Sequence, residues 1–185
     1  ARSPATAADL RALPEATRFH EVIAGELVQK AARNGEHGAT QAAVTGSLFG
    51  PFSRPSGGRF PGGWWFETEV EIDFEAHEIY RPDVAGWRRE RAPERPTGTP
   101  IHLRPDWICE IVSPSTGRLD RSRKMSVYAR EGVQHLWLVE PRLRTLEVYR
   151  LGERLWTLEA VHAADDVARI APLDAIELAL DRWWL

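Results

Sequence analysis

The alternation of apolar and polar residues predicts short strands joined by a few helices. Residues 107–112 are apolar apart from one carboxylate, Glu110, and such a run is typical of a strand buried on both faces. Residues 135–140 have the same character. Between them a helix is predicted over Asp120–Glu131, with its first residue as the N-cap and Gly132 as the C-cap. Two buried strands joined by a helix indicate a parallel crossover unit.

The flanking segments predict further short elements around this unit. Residues 64–74 alternate between apolar and mostly acidic side chains, which predicts one half-buried strand whose acidic face is solvated. Residues 51–63 and 88–104 are rich in Pro and are predicted to be loops. The whole pattern indicates an α/β (α+β) fold, with residues 1–185 as a single domain. The other predicted elements are a helix over 6–13, a hairpin formed by 19–23 and 26–29, a helix over 36–52, and strands over 79–80, 84–87, 145–150, 156–161 and 168–170.

Composition and charge narrow the class of protein. Of 185 residues, 43% are hydrophobic and 28% are charged, and the net charge of −3 excludes a bulk binder of polyanions but leaves room for a local basic patch. No apolar segment reaches the roughly 18 residues of a membrane span, and no secretory signal is visible, so we expect no membrane partner. The single cysteine, Cys109, excludes a disulfide within the chain and suits the cytoplasm. Its apolar neighbours predict a small buried hydrophobe.

Two carboxylates interrupt predicted strands of one sheet. Glu110 lies in a buried run, where a charge is costly unless cations or hydrogen bonds compensate it, and Asp83 follows Pro82, which indicates a bend or bulge. Carboxylates that converge on adjacent strands form an oxygen site for a hard divalent cation such as Mg²⁺. Lys124, one of only two lysines among 24 basic residues, is predicted about one turn into the following helix. Together these groups describe metal-assisted hydrolysis of a phosphodiester.

The residues around the two carboxylates form motifs that match a known family. The matching segments are Arg81–Ala85, Glu110–Thr116, Asp120-Arg121 with Lys124, Tyr128–Val133, Trp137–Pro141 and Thr145–Arg150. They resemble the Uma family of restriction-endonuclease-like proteins, which belongs to the PD-(D/E)XK nuclease superfamily. The resemblance covers nearly the whole chain and is most specific over 104–141. It implies a restriction-endonuclease-like core, in which a mixed β-sheet with flanking helices follows the order α-β-β-β-α-β, with an N-terminal hairpin and C-terminal strands added.

The resemblance also implies roles for individual residues. Asp83 and Glu110 would be the catalytic acids and the ligands of Mg²⁺ or Mn²⁺ in an endonuclease that cleaves DNA. The superfamily lysine would fall at position 112, where this chain has valine. The matching lysine of this family lies on the following helix, as Lys124, and would complete the catalytic set.

Five further residues are candidates for the surrounding cleft. His37 matches a frequent histidine of the family's first helix and would line the site, and Ser113, which follows the second acid, would hydrogen-bond a ligand. Arg118, Arg121 and Arg123 at the start of the helix would contact phosphates of a nucleic acid, or they would only solvate the helix.

The catalytic candidates also have purely structural explanations. Asp83 can cap a turn beside Pro82, and Lys124 can be a solvated helix residue that pairs with Asp120 four residues earlier. Asp106 also follows a proline, but it should lie at the far end of the strand that holds Glu110.

Two hypotheses about function and assembly remain open at this point. The competing function is a restriction-endonuclease-like fold without catalysis that binds nucleic acid or protein, and the valine at 112 and the negative net charge favour it. The pairs Trp64-Trp65 and Trp183-Trp184 indicate exposed apolar surface, which predicts a possible homodimer.

Overall fold

The computed structural model describes residues 3–30, 34–113 and 117–184, and it contains most of the predicted helices and strands. The helices are α1 (Ala7–Ala12), α2 (Gly35–Phe52), α3 (Gly117–Leu119) and α4 (Met125–Arg130), with 3₁₀ turns at Glu15–Thr17 and Leu180–Trp183. The strands are β1 (His20–Ile23), β2 (Glu26–Gln29), β3 (Trp64–Glu67), β4 (Ile72–Glu75), β5 (Glu78–Tyr80), β6 (Val84–Arg88), β7 (Trp107–Ile111), β8 (His135–Glu140), β9 (Thr145–Leu151), β10 (Trp156–Ala163), β11 (Val167–Ala168) and β12 (Leu178–Ala179).

A six-stranded sheet with the order β10-β9-β8-β7-β6-β3 forms the centre of the fold. Its central strands β7 and β8 are parallel, with Trp107 opposite His135, whereas the other neighbouring strands are antiparallel. α3 and α4 connect β7 to β8, so the predicted crossover unit is confirmed. The segments α2, β3, β6, β7, α3–α4 and β8 follow the order α-β-β-β-α-β, with β4 and β5 inserted.

The segment 64–74 forms two strands in two sheets, so the prediction of one strand is wrong. β3 ends at Glu67, and the chain turns at Glu69, whose φ is +59°. β4 then joins a four-stranded sheet of order β2-β1-β5-β4. The alternation continues across the break because each strand buries one face, so periodicity cannot separate the two strands. The acidic face is not uniformly solvated either, since Glu71 is buried and paired with Arg81.

Apolar side chains pack against both faces of the six-stranded sheet. α2 covers one face with Val44, Leu48 and Phe52, and α4 covers the other with Val127 and Tyr128. The site described below lies where α2, β6 and β7 meet the four-stranded sheet, because groups from each of these elements contact one another there.

Three of the four paired tryptophans belong to the core, and the fourth, Trp65, is half-buried against it, so the prediction of exposed apolar surface is wrong. Trp64, Trp183 and Trp184 are buried in the cluster that α2 covers. Trp183 Nε1 donates a 3.1 Å hydrogen bond to Ser47 Oγ on α2. Trp183 and Trp184 pack against the body of the protein, and they therefore give no basis for a homodimer.

The helix after β7 begins earlier than predicted. α3 starts at Gly117, and Asp120 lies inside a π-helical turn, Asp120–Lys124, where it does not cap the helix. π turns are wider than α turns and are frequent at functional sites. This turn places the buried Asp120 Oδ1 3.5 Å from Lys124 Nζ. At the other end Gly132 has a φ of +76°, the left-handed conformation of a glycine C-cap, as predicted.

Candidate active site

Asp83 lies where the chain leaves the four-stranded sheet and enters β6. Its side chain is buried, and the backbone N–H of Ile111 on β7 donates a 2.6 Å hydrogen bond to its Oδ2. β6 and β7 are neighbours, with Val84 opposite Cys109, so this bond runs between adjacent strands. The sheet itself therefore fixes the carboxylate of Asp83.

Glu110 lies on β7, as predicted, and its side chain is buried in the same pocket. Its Oε2 is 3.4 Å from the backbone nitrogen of Asp83, so the two acids share one environment. Tyr128 of α4 donates a 2.6 Å hydrogen bond to Glu110 Oε1. The preceding residue, Cys109, belongs to the core that α2 covers, where burial raises the pKa of its thiol well above the usual value. Cys109 is thus the small buried hydrophobe that was predicted.

Lys124 is enclosed by carboxylates at the end of the π turn. Its Nζ lies 3.1 Å from Glu21 Oε1, 3.3 Å from Glu110 Oε1 and 3.5 Å from Asp120 Oδ1. Its side chain is 3% exposed, so it is not a solvated helix residue, although the contact with Asp120 is present. Burial by itself lowers the pKa of Lys124, but Glu110, Glu21 and Asp120 together raise it well above the usual value.

Negative charge exceeds positive charge among the described side chains of this pocket. The buried carboxylates are those of Glu21, Asp83, Glu110 and Asp120, and the ammonium groups in contact with them are those of Lys30 and Lys124. This excess of negative charge affects the pKa of Glu110. Burial raises the pKa of its carboxyl to about 8, with Lys124 lowering it and Asp83 and Asp120 raising it further.

The raised pKa of Glu110 predicts that metal-free protein loses stability as the pH rises. The folded-state pKa of about 8 is above the ordinary value for glutamate, so this group's contribution is fully present below pH ~4.3 and is lost as the pH rises through about 8. In EDTA we expect the melting temperature to fall by roughly 5 °C or more between pH 5 and pH 8. Glu110→Gln should flatten this slope in calorimetry. Parallel slopes for both proteins would contradict the assignment.

A second lysine, Lys30, reaches the same pocket directly after β2. Its Nζ lies 3.0 Å from Asp83 Oδ1 and 3.0 Å from Glu69 Oε2, and it also donates to the carbonyl oxygen of Arg81. Its side chain is 9% exposed, more than that of Lys124. Sequence reasoning missed this residue because 53 positions separate it from Asp83. The available signal was that lysine is rare in this chain.

The first turns of α2 bring two more side chains to Asp83. Asn34 caps the helix by accepting a 2.8 Å hydrogen bond from the N–H of His37. His37 Nε2 lies 3.4 Å from Asp83 Oδ2 and is buried without a hydrogen-bond partner among the described residues. One turn later Gln41 Nε2 donates to the carbonyl oxygen of Asp83 (2.7 Å) and to Glu69 Oε1 (3.1 Å). The structure thus places His37 beside Asp83, and it adds Gln41, which sequence reasoning missed.

Two other predicted positions lie at the ends of β7. Ser113 follows the strand near the pocket, and residues 114–116 of the matching motif lie outside the described residues. Asp106 precedes β7 at the opposite end, where it accepts 2.8 Å hydrogen bonds from the N–H of Arg88 and from Arg91 Nε. Asp106 is therefore separate from the pocket, as expected.

The three arginines at the helix start differ in their surroundings. Arg121 pairs with Glu147 (2.7 Å) and Glu140 (3.3 Å). Arg123 pairs with Glu78, and Arg118 is exposed. Carboxylates therefore already neutralise Arg121 and Arg123. These two arginines are also the ones nearest to Lys124 in the sequence.

The donor set of the pocket fits a hard divalent cation. No group of three or more His, Cys, Asp or Glu side chains arranged to hold a metal is found within 3–30, 34–113 and 117–184. Mg²⁺, however, is ordinarily bound by one or two carboxylates and completes its coordination with water and substrate oxygens. Asp83 and Glu110 supply two such carboxylates, the excess negative charge favours a cation, and His37 Nε2 is a buried nitrogen beside them.

Comparison with known proteins places the chain in a family. A family model described as "Putative restriction endonuclease" (Uma2) matches residues 7–181. The chain belongs to the Uma2 family. One solved structure similar to this Uma2 protein is that of "a putative nuclease belonging to DUF820 from Anabaena variabilis ATCC 29413", which has 22% identity and a TM-score of 0.76 over 98% of each chain. A search of curated proteins finds no match.

The comparisons confirm the resemblance and the fold predicted from the sequence. At 22% identity the solved structure shows a shared fold, which is the restriction-endonuclease-like core of mixed sheet and flanking helices. The family match adds that this Uma2 protein is related to nucleases. Among the described helices, none combines the length and apolar character needed to cross a membrane.

Proposed function

We propose that this Uma2 protein is a metal-dependent endonuclease that hydrolyses phosphodiester bonds of DNA with Mg²⁺ or Mn²⁺ held by Asp83 and Glu110. The observation that carries the proposal is that both carboxylates are buried together between adjacent strands. The N–H of Ile111 donates to Asp83 Oδ2 over 2.6 Å, the backbone nitrogen of Asp83 lies 3.4 Å from Glu110 Oε2, and the charge of Asp83 helps to raise the pKa of Glu110. When bound, such a cation activates a water molecule and stabilises the charge that builds on the phosphate. Membership of a nuclease-related family supports the same chemistry.

Lys124 and Tyr128 act in this proposal by holding Glu110 in place. Tyr128 donates to Glu110 Oε1, and Lys124 Nζ lies 3.3 Å from the same oxygen. Because Lys124 is enclosed by three carboxylates, its ammonium is directed at protein groups and not at a substrate in the cleft. We therefore assign Lys124 a positioning role on the second acid.

Lys30 is the lysine that we assign to the substrate side of the pocket. Its ammonium contacts Asp83 and Glu69, and it is the more exposed of the two lysines. An ammonium at this place can donate to a phosphate oxygen or orient the attacking water. In the superfamily this is the role of a lysine whose position, 112, holds valine in this chain. It is also a cation that a metal ion must partly displace from Asp83.

Lys30→Met is expected to separate catalysis from metal binding. Cleavage should fall roughly 10²-fold or more, because a donor to the developing charge is lost. Metal affinity should stay equal or rise, because a competing cation on Asp83 is removed. Plasmid cleavage and Mn²⁺ calorimetry on the same preparation measure both quantities. Loss of metal binding together with cleavage would contradict the role given to Lys30.

The direct test of the proposed function is a cleavage assay with Mg²⁺, Mn²⁺ or EDTA. Supercoiled plasmid, a short DNA duplex, single-stranded DNA and RNA should be compared, and we expect metal-dependent cleavage of DNA. Cleavage that persists in EDTA would contradict the metal dependence, and cleavage of RNA alone would contradict the substrate.

A binding module without catalysis is the second candidate function. It is favoured by the cations already present on both acids, Lys30 on Asp83 and Lys124 on Glu110, and by the valine at 112. A protein that neither binds Mn²⁺ in calorimetry nor cleaves any substrate would reject the endonuclease and favour this candidate.

A further inference from the structure

Arginine and aromatic side chains form a cluster at the end of β6 that is remote from Asp83. The cluster, which we call the arginine–aromatic surface, consists of Arg54, Arg59, Phe60 and Arg88, with the buried ring of Trp64 beneath Arg88. Arg88 Cζ lies 4.7 Å from the centre of the Trp64 ring, on the face of the sheet that α2 covers. Arg54 and Arg59 lie 4.9 Å and 5.7 Å from the Phe60 ring, which is 40% exposed.

The loop between α2 and β3 carries part of this surface, and backbone hydrogen bonds fix its shape. The N–H of Gly63 donates to the carbonyl of Arg54, and the N–H of Gly62 donates to that of Pro51 over 3.1 Å. The loop is tied to β6 because the N–H of Arg89 donates a 2.9 Å hydrogen bond to Gly63 O. Gly62 has a φ of +63°, and a Cβ there would lie 2.3 Å from a backbone oxygen, so the closed shape requires glycine.

The positive charge of this surface is not neutralised by the described part of the chain. Within it, Arg54, Arg59 and Arg88 have no carboxylate at ion-pair distance, in contrast to Arg121 and Arg123. Two carboxylates of this region, Glu67 and Asp106, are paired with Arg95 and Arg91 instead.

The surface lies within reach of the proposed active site. Asp83 precedes β6 and Arg88 ends it, so the two are about 16 Å apart at about 3.3 Å per residue. β3 runs alongside as the edge strand, with Trp64 under Arg88 at one end, and Glu69 beyond the other end contacts Lys30. Phosphates repeat about every 3.4 Å along one DNA strand, so this distance corresponds to about five nucleotides.

We propose that the arginine–aromatic surface binds the phosphate backbone of the nucleic-acid substrate and lays the strand along β3 toward Asp83. Arginine supplies the charge for phosphates, and an exposed aromatic ring beside it can stack on an unpaired base. The inference rests on the proposed function in that the ligand is the nuclease substrate, but binding can be measured without cleavage.

The test is fluorescence anisotropy in EDTA with a labelled 20-base-pair duplex and the matching single strand. Arg59→Ala/Arg88→Ala removes two arginines whose guanidinium groups lie on aromatic rings. We expect affinity to fall at least 10-fold and the salt slope to shrink by about 1.4 to 1.8, the value for two phosphate contacts. Tighter binding of the single strand than of the duplex would indicate stacking on Phe60.

Arg130→Ala/Arg150→Ala is the matched control, because it removes the same charge from arginines that are already paired and that are not candidates for phosphate contact. Its affinity should stay within about 3-fold of the unaltered protein. Equal affinity of the Arg59/Arg88 variant and the unaltered protein, or absence of binding by the unaltered protein, overturns the inference. If the double variant does not fold, Arg59→Glu alone in the exposed loop gives the same comparison.

The two proposals fail separately. Cleavage by the unaltered protein with no effect of the Arg59/Arg88 change on affinity rejects the surface and leaves the endonuclease. Tight, Arg59- and Arg88-dependent binding without cleavage in any metal keeps the surface and rejects the endonuclease.

Discussion

Asp83→Asn should lower cleavage by roughly 10²-fold or more and abolish the heat of Mn²⁺ binding, while the protein stays folded. An amide is a much weaker ligand for a hard cation than a carboxylate, because it carries no charge. Its oxygen can still accept the hydrogen bond from the N–H of Ile111, so the strand arrangement should be retained. Cleavage and calorimetry on one preparation check both parts, and full metal binding by the variant would contradict the ligand assignment.

Asp106→Asn is the matched control for this change. Asp106 is also preceded by proline and also accepts a backbone N–H, but it lies at the other end of β7 and pairs with Arg91. The Asp106→Asn change should lower the free energy of unfolding slightly, because a partly exposed ion pair contributes at most about 1 kcal/mol. Cleavage should stay within about 3-fold of that by the unaltered protein. A loss of activity equal to that of Asp83→Asn would mean that the assay reports folding and not the site.

Lys124→Met should have the largest effect on stability. It removes the ammonium that three carboxylates surround and leaves Glu21, Glu110 and Asp120 without that cation. Breaking a buried ion pair by removing one partner typically costs about 3–5 kcal/mol. For a chain of this length that corresponds to a melting temperature about 10 °C lower, measured by calorimetry or circular dichroism.

Lys30→Met is the control for the loss of one lysine. Lys30 pairs with two carboxylates, of which Glu69 is partly exposed, whereas three buried carboxylates enclose Lys124, so removal of Lys30 should lower the melting temperature less. Adding Glu21→Gln to Lys124→Met should restore part of the stability, because it removes one of the buried carboxylates that lose the ammonium group. Equal melting temperatures for Lys124→Met and the unaltered protein would show that Lys124 is not needed to compensate these acids.

The parts of the site that could be predicted are those whose sequence conflicts with their surroundings. Glu110 is recognisable because a charge in a buried apolar strand needs compensation, and β7, the helix and β8 follow from local pattern. Asp83 is recognisable because Pro82 and a strand start coincide there. The order of helices and strands in the core could also be predicted from local sequence, because each of these elements has its own spacing of apolar residues.

The parts that could not be predicted depend on contacts between distant segments. Glu21 lies on β1 in an ordinary alternating strand, and nothing local indicates that it faces Lys124. Lys30 meets Asp83 only because the N-terminal hairpin pairs with β5, and Asp83 lies in the segment that follows β5. The π turn also escapes prediction, because the local sequence favours Asp120 as a helix cap and the buried contact with Lys124 overrides that preference.

The cage around Lys124 has a consequence for how this family can diverge. Its three carboxylates come from a hairpin, a central strand and a helix, so the lysine joins pieces that the fold must hold together. A duplicated gene copy that loses its activity would be free to lose Asp83 or Lys30, yet selection for a folded protein would still preserve Lys124. Retention of Lys124 in a descendant would therefore report an intact fold, whereas under the proposed function joint retention of Asp83 and Lys30 would report an enzyme.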